Sequence, residues 1–284
     1  DARVPGPRAL VTTLVHLSDI HFGGLADIRA VEGLEEILPS FAPTAIIISG
    51  DFCQRARAGE FLRARAFLRA AAKLAPVHAI AGNHDVQWWR EPMGIPLLGR
   101  ARYAKYRRYL AEDLAPSLTV DGTLICAAPS AHGLALGSVT WNPRDLTVKG
   151  HIPAEALTRA AVVFAAGRNG ALRVLVTHHN VLKGRISGRW GLARPRATLR
   201  AIAESGADVV CCGHDHEAGI GTIEAGGRRV VVSTAGTLST RGRGGLPPSF
   251  NVLKVTPQAI RVEIHGFERA AERYAVSEER EFVR

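Results

Sequence analysis

Five short apolar runs, each followed by carboxylate, amide or imidazole side chains, constrain this chain of 284 residues more than any other feature. Leu14-Val15-His16-Leu17 leads to Asp19 and His21. Thr44-Ala45-Ile46-Ile47-Ile48 leads to Ser49-Gly50-Asp51. Val77-His78-Ala79-Ile80 leads to Gly82-Asn83-His84-Asp85. Leu172-Arg173-Val174-Leu175-Val176 leads to His178 and His179, and Val209-Val210-Cys211-Cys212 to Gly213-His214-Asp215-His216. Short β-branched runs ended by glycine read as buried strands with sharp exits. In open α/β sheets, sites form beyond the carboxyl ends of strands. Five such ends converging predict one metal site, for two ions.

The stretches between these runs supply the other half of an α/β pattern. Helical periodicity predicts helices over 26–38, 58–74, 153–167 and 195–205. A hairpin is expected around Asp121-Gly122, joining 118–121 to 123–128. Further strands are expected at 219–225, 229–234, 249–255 and 259–265, with Gly226-Gly227 as a hairpin turn. No internal repeat or linker divides the chain. One domain is expected over 1–284, with its core over 9–268 and a charged surface tail over 269–284; residues 1–8 read as a disordered lead.

A composition 46% hydrophobic and 22% charged supports a well-filled core. No apolar run approaches the roughly 18 residues of a membrane helix. The N-terminal residues show no signal-peptide apolar core, and cysteines at 53, 126, 211 and 212 form no disulfide framework, so a cytoplasmic location is expected. Cys211 and Cys212 are adjacent in a strand and should face opposite ways. The net charge of +10 comes mostly from arginine and favours phosphates, nucleic acid or anionic lipid as partners. It fits equally well an arginine-rich but merely solvated surface. No RNP, helix-turn-helix or zinc-finger pattern supports nucleic acid, which makes it the lesser candidate.

The donor set defines the chemistry. Aspartate can bridge two cations, and Asp51 follows the central run. Asp19, His21 and His216 would complete one shell, and Asn83, His178 and His214 the other. Such N/O ligation suits manganese, iron, zinc, cobalt or nickel. Two ions about 3.5–4 Å apart can clamp an in-line displacement at phosphorus. His84, beside Asn83, is free to face the substrate and to stabilise or protonate the leaving oxygen. Asp85 would orient the His84 ring, and Arg55 would bind a phosphate oxygen. Of His178 and His179, only one should point at the metals.

Asp19-x-His21, Gly50-Asp51, Gly82-Asn83-His84-Asp85, His178 and Gly213-His214-Asp215-His216 resemble the five motifs of the calcineurin-like metallophosphoesterases, over about 70% of the chain. Within that superfamily the chain is most similar to the cyclic-nucleotide phosphodiesterase branch. The resemblance implies a four-layer αββα sandwich, two transition-metal ions (manganese, iron or zinc) and a metal-bridging hydroxide as nucleophile. It also selects His178 as the ligand, by position. Cys53 stands where that branch has Thr, Val or Ile, and Asn180 where Pro is common. The implied function is a phosphodiesterase acting on a small nucleotide-type ester. A nucleotide-sugar-lipid pyrophosphatase, which would suit peripheral membrane contact, and a broad phosphomonoesterase are the alternatives. A metal-binding, nucleic-acid-binding protein is the non-enzyme reading, and a dimer is compatible with all of them.

Two basic, aromatic stretches follow ligand-bearing runs and should rise over the metal face. They carry Trp88, Trp89, Arg90, Arg100 and Arg102 in one, and Lys183, Arg185, Arg189 and Trp190 in the other. His16 and His78 lie inside strands and read as satisfied core histidines. His132, His151 and His265 have no partner motif, and Cys53 reads as packing.

Overall fold

A computed structural model describes residues 11–87, 102–132 and 149–284. Trp88, Trp89, Arg90 and Arg100 fall outside these residues. The first sheet contains β1 (Thr12–Leu17), β2 (Ala45–Ile48), β3 (Val77–Ala79), β10 (Ser249–Val255), β11 (Ala259–Glu268) and β12 (Arg273–Val283), in the order β12-β11-β10-β1-β2-β3. The second contains β4 (Ser117–Val120), β5 (Thr123–Ala127), β6 (Leu172–His179), β7 (Val209–Gly213), β8 (Gly219–Ala225) and β9 (Arg228–Thr234), in the order β4-β5-β6-β7-β9-β8. β1, β2 and β3 run parallel, as do β5, β6, β7 and β9; the remaining pairings are antiparallel, so both sheets are mixed.

Strand alternation sorts the apolar side chains into three layers. Leu14 and Ile47 of the first sheet meet Ile125, Val174, Val209 and Val231 of the second between the sheets. Their neighbours Val15, Leu17, Ile46 and Ile48 face outward, onto α1 (Ile28–Ile37) and α2 (Ala58–Ala71), which contribute Leu34, Phe61 and Phe67. On the far side, Leu175, Val210 and Cys212 pack on α4 (Ala154–Ala165) and α5 (Pro195–Glu204) through Phe164, Ile202 and Ala203. The result is the expected αββα sandwich. Each fully buried Leu, Ile or Phe contributes about 1.5–3 kcal/mol. Cys211 faces the inter-sheet layer and Cys212 the helices, as their adjacency requires. A short helix, α3 (Ala104–Tyr109), packs on α2, where Tyr109 stacks on Phe61 at 5.8 Å.

Both predicted tight turns are present. Val120 pairs with Thr123 across Asp121 and Gly122, and Ala225 with Arg228 across Gly226 and Gly227. All four turn residues have positive φ, the signature of the primed turns that match strand twist.

The C-terminal stretch corrects the sequence expectation. Residues 273–283, expected as a charged surface tail, form β12, the edge strand paired along β11. The charges pair across the strands: Arg261 lies 2.9 Å from Glu281 and 3.4 Å from Glu279. Tyr274 anchors the start of the strand, donating its hydroxyl to the Ala30 carbonyl of α1 at 2.8 Å. An edge strand needs charge against further pairing, and that same charge hides it from a search for apolar alternation.

His16 and His78 are buried in the sheets, as expected. His16 reaches Ser233 at 2.9 Å and Ser49 at 3.0 Å, tying the two sheets together; His78 reaches the Pro116 carbonyl at 3.0 Å. No helix among the described residues is long and apolar enough to cross a membrane.

Candidate metal centre

The chain leaves β1, β2, β3, β6 and β7 at one end of the sandwich. Backbone bonds continue the sheet past its formal end: Asp19 N–H to Gly50 O at 2.9 Å, His21 N–H to Asp51 O at 3.0 Å, and Phe22 N–H to Phe52 O at 2.8 Å. Asp19, His21, Asp51, His214 and His216 all have φ between 54° and 74°. Left-handed backbone at a non-glycine residue costs about 1–2 kcal/mol, and such strain concentrates at functional sites. Here it turns side chains that would otherwise continue the pleat toward a common point. Gly50 has φ 106°, and a Cβ there would stand 2.6 Å from the Gly82 nitrogen. Glycine therefore lets the loops after β2 and β3 touch backbone to backbone.

Two donor clusters result. Asp19, His21, Asp51 and His216 hold one set of ligand atoms within 4.8 Å of one another, and Asp51, His178 and His214 hold the other. Asp51 belongs to both. Asn83 joins the second cluster: its Oδ1 lies 2.9 Å from His178 Nε2 and 2.9 Å from His214 Nδ1, and those two nitrogens are 3.3 Å apart. All seven ligands expected from the sequence thus meet in one place.

The donor set fits cations. His21 Nε2 and His216 Nε2 face each other at 2.9 Å, and Asp19 Oδ1, fully buried with no hydrogen-bond partner, lies 3.3 Å from His216 Nε2. Lone pairs and carboxylates crowded together away from water are unfavourable unless a cation lies among them. The imidazoles are oriented from behind by backbone carbonyls, 2.8 Å from His178 Nδ1 to Ser49 O and 3.1 Å from His216 Nδ1 to Arg241 O. Each contact turns Nδ1 toward the carbonyl and Nε2 toward the cluster, the orientation in which a deprotonated Nε2 can bind a cation.

The electrostatics follow from this crowding. Burial opposes ionisation of Asp19, but the adjacent His21 and His216 rings outweigh it and hold the carboxyl well below its usual range. Asp51 is also buried, and His178 and His84 hold it low. Burial would lower the pKa of His178, yet Asp51 beside it raises it to about 9. His214 is pushed down to about 3 by burial and by His178.

His179 belongs to neither donor cluster: its Nδ1 lies 2.8 Å from Ser130 Oγ, and its ring packs beside His214 with centres 4.3 Å apart. His84 stands outside both donor clusters. Its backbone N–H donates to Asp51 Oδ1 at 2.8 Å, its Nδ1 donates to the Gln54 carbonyl at 2.8 Å, and its ring meets His21 edge-on at 4.8 Å. The Gln54 carbonyl, rather than Asp85, therefore orients the ring. The Asp85 carboxylate instead accepts from the backbone N–H groups of Gly82 (2.9 Å), Cys53 (2.9 Å) and Phe52 (3.2 Å), pinning the two ligand loops together. Burial and the nearby Asp51 charge push its pKa up to about 7. The reason for the correction is geometric: the 3-10 turn over Asn83–Asp85 directs successive side chains apart. Cys53 is buried in the core and unpaired, as expected, and Arg55 is exposed beside the site.

The second basic loop is held down by acids of the last ligand motif. Glu217 accepts from the backbone N–H of Arg185 at 2.9 Å and of Ile186 at 3.0 Å, and Asp215 accepts from Ser187 Oγ at 2.5 Å. Asn180 closes the loop by donating to Leu182 O at 2.8 Å. The Arg185 side chain lies 3.7 Å from Glu217 and 3.4 Å from Glu278, so it is committed to ion pairs and not to an open rim. Lys183 and Arg189 are exposed, and Trp190 is half-buried.

Residues 12–218 match the family model of the calcineurin-like phosphoesterases. The chain belongs to that family. This phosphoesterase fold recurs in solved structures of low sequence identity. A purple acid phosphatase from yellow lupin (Lupinus luteus) seeds superposes with a TM-score of 0.68 at 11% identity, covering 98% of this chain and 54% of that one. PhoD superposes with a TM-score of 0.64 at 12% identity, covering 99% and 70%. A dimetal phosphatase from Danio rerio superposes with a TM-score of 0.59 at 14% identity, covering 93% and 98%. The phosphoesterase chain thus spans about half the length of the lupin enzyme. Comparison with curated protein sequences finds no match. Within the calcineurin-like phosphoesterase family, the chain thus carries a candidate dinuclear centre of Asp and His residues.

Proposed function

We propose that the protein is a dinuclear metal-dependent phosphodiesterase acting on a small, nucleotide-type diester, as the likeness of its motifs to the cyclic-nucleotide phosphodiesterase branch implies. Asp19, His21 and His216 would hold one cation and Asn83, His178 and His214 the other, with Asp51 belonging to both donor sets. Manganese, iron and zinc suit these donors. Bound there, two cations supply Lewis acidity at the phosphoryl oxygens and ionise water at neutral pH. The observation that carries the reading is the shared position of Asp51, together with His84, which stands outside both donor clusters with Nδ1 already committed to Gln54 O.

His84 then presents Nε2 to the ester. It donates a hydrogen bond or a proton to the oxygen that leaves as the phosphorus–oxygen bond breaks. Asp51 fixes the His84 backbone through the 2.8 Å bond from its N–H, so the donor and the bridge keep one geometry. Arg55, at the exposed edge, pairs with a non-bridging phosphate oxygen. Lys183 and Arg189 provide rim charge for a leaving group larger than hydroxide.

A comparison of kcat/KM for an aryl diester and the matching monoester, with manganese-loaded protein, tests the substrate class. The diester is expected to be preferred, and Arg189→Ala with Lys183→Ala to raise KM more than it lowers kcat. Equal or better monoester hydrolysis, unaffected by those substitutions, would replace this reading with a broad phosphomonoesterase.

A further inference from the structure

The surplus positive charge is not spread evenly over the surface. Residues 55–74 carry six cations, Arg55, Arg57, Arg63, Arg65, Arg69 and Lys73, and one carboxylate, Glu60, giving +5 of the whole chain's +10. Glu60 is buried and spent on the backbone N–H groups of Arg55 (2.8 Å) and Arg57 (3.1 Å). None of the six cations forms an ion pair among the described residues. Elsewhere arginine is routinely paired: Arg29 with Glu272, Arg200 with Glu204, Arg229 with Glu224, Arg243 with Asp215 and Arg269 with Asp27.

Arg63 and Arg69 lie on the exposed side of α2, with Arg65 half-buried between them; Arg55 and Arg57 precede the helix and Lys73 follows it. Arg65 and Arg69 stand at i, i+4 within α2, a like-charge spacing that costs a few tenths of a kcal/mol in an isolated helix, and Lys73 adds a further cation just past its end. Arg55 and Arg57 sit at its N-terminal end, where the helix dipole disfavours cations. Between the charges the exposed side is flat, with Ala58, Gly59, Ala66 and Ala70 leaving the guanidinium groups accessible. α3 extends the patch through Arg108, whose guanidinium lies 5.5 Å from the Tyr109 ring centre, opposite Arg65 at 5.9 Å. The N-terminal end of the patch adjoins the metal centre, because Gln54, whose carbonyl orients His84, directly precedes Arg55.

We infer that the α2–α3 face docks the phosphate backbone of a nucleic acid. The charge complementarity is to a polyanion, and arginine pairs with phosphate oxygens in bidentate fashion. Insertion into a bilayer draws on an apolar face as well as on charge, and residues 55–74 expose only Leu62 and Leu74 among large apolar side chains, at opposite ends of the cationic row from Arg63 to Lys73. The surface is separate from the metal ligands and stands whichever ester the centre hydrolyses.

Binding of a fluorescein-labelled DNA duplex of roughly 20 base pairs, followed by anisotropy across about 50–200 mM salt, tests this inference. The triple variant Arg63→Glu, Arg69→Glu and Lys73→Glu is expected to raise Kd at least about tenfold and to flatten the slope of log K against log salt by about 3, one for each phosphate contact. A control with the same charge change at paired sites, Arg29→Glu, Arg200→Glu and Arg229→Glu, is expected to shift Kd less than about threefold. The neutral set Arg63→Gln, Arg69→Gln and Lys73→Gln, checked for native circular dichroism, gives the same ranking should the reversed variant unfold. Equal losses in the α2 and control variants would overturn the inference in favour of diffuse charge. Binding to phosphatidylserine vesicles with none to DNA would overturn it in favour of a membrane surface.

Discussion

Five of the seven expected ligands have left-handed backbone, and the nitrogens of paired imidazoles approach to 2.9 Å (His21 and His216) and 3.3 Å (His178 and His214). This arrangement is costly on its own and is relieved by cations, which makes individual ligands separable by experiment. Asp51 contributes to both clusters, so Asp51→Asn is expected to lower the content of both metals and to abolish hydrolysis; an amide offers one oxygen where the carboxylate offers two. Elemental analysis finding two ions per chain in this variant would remove Asp51 as the bridge. His84 is expected to behave differently. His84→Ala should keep both ions while kcat falls by about 10²–10⁴. Metal loss in His84→Ala would make it a structural part of the centre. The neighbouring pair offers a sharper contrast: His178→Ala should lose metal, whereas His179→Ala, whose ring is bonded to Ser130, should keep it.

The elements meet at the centre through loops that no single strand controls. Asp85 is the clasp between the loops after β2 and β3, accepting three backbone N–H groups while nearly inaccessible to water. Asparagine has the same shape but turns one acceptor into a donor facing an N–H. Asp85→Asn is therefore expected to destabilise the fold by about 1–3 kcal/mol. It should also weaken metal binding, since Asp51 and Asn83 lie on the two loops it joins. Thermal denaturation with and without manganese measures both effects; a wild-type Tm and wild-type metal affinity would show that the clasp does not set the ligand geometry. β12 illustrates the same dependence at the sheet edge, where charged cross-strand pairs and one tyrosine anchor make a strand from a sequence with little apolar alternation.

At the scale of the whole molecule, the two sheets are joined by buried polar groups as well as by apolar packing. Burial lowers the pKa of His16 to about 3 and of His78 to about 4, against an unfolded value of about 6.5. Both are neutral in the fold. As pH falls below about 6.5, the unfolded chain takes up protons that the folded chain refuses, so the unfolded state gains. Stability is therefore expected to fall from about pH 6.5 toward 4, with each histidine contributing a slope of up to about 1.4 kcal/mol per pH unit. Urea unfolding of His78→Gln across that window should show a shallower dependence than the parent protein, with the buffer and metal content held equal. Identical slopes would mean that His78 titrates alike in both states.

The sequence by itself determined the strand ends, the α/β layering and which residues make up the candidate donor clusters, because each signal is local: an apolar run, a glycine exit and a donor within a few residues. The two tight turns were equally legible, since Asp-Gly and Gly-Gly state their own backbone conformation. What the tertiary structure alone decided is which distant group each of these residues meets. The carbonyl of Ser49 orients His178 from 129 residues away, and every residue has a carbonyl, so no side-chain pattern marks it. The same holds for Gln54 behind His84 and Arg241 behind His216. Adjacency in sequence suggests Asp85 as the partner of His84, but it says little about direction once the chain turns, and Asp85 meets backbone N–H groups instead. Arg185 and Arg189 look alike in the sequence, but only the fold brings Glu217 and Glu278 to Arg185. The net charge of +10 was visible from composition alone. That the cations on and beside α2 stand without ion pairs among the described residues, while many arginines elsewhere are paired, depends on which carboxylates folding brings within a few ångströms.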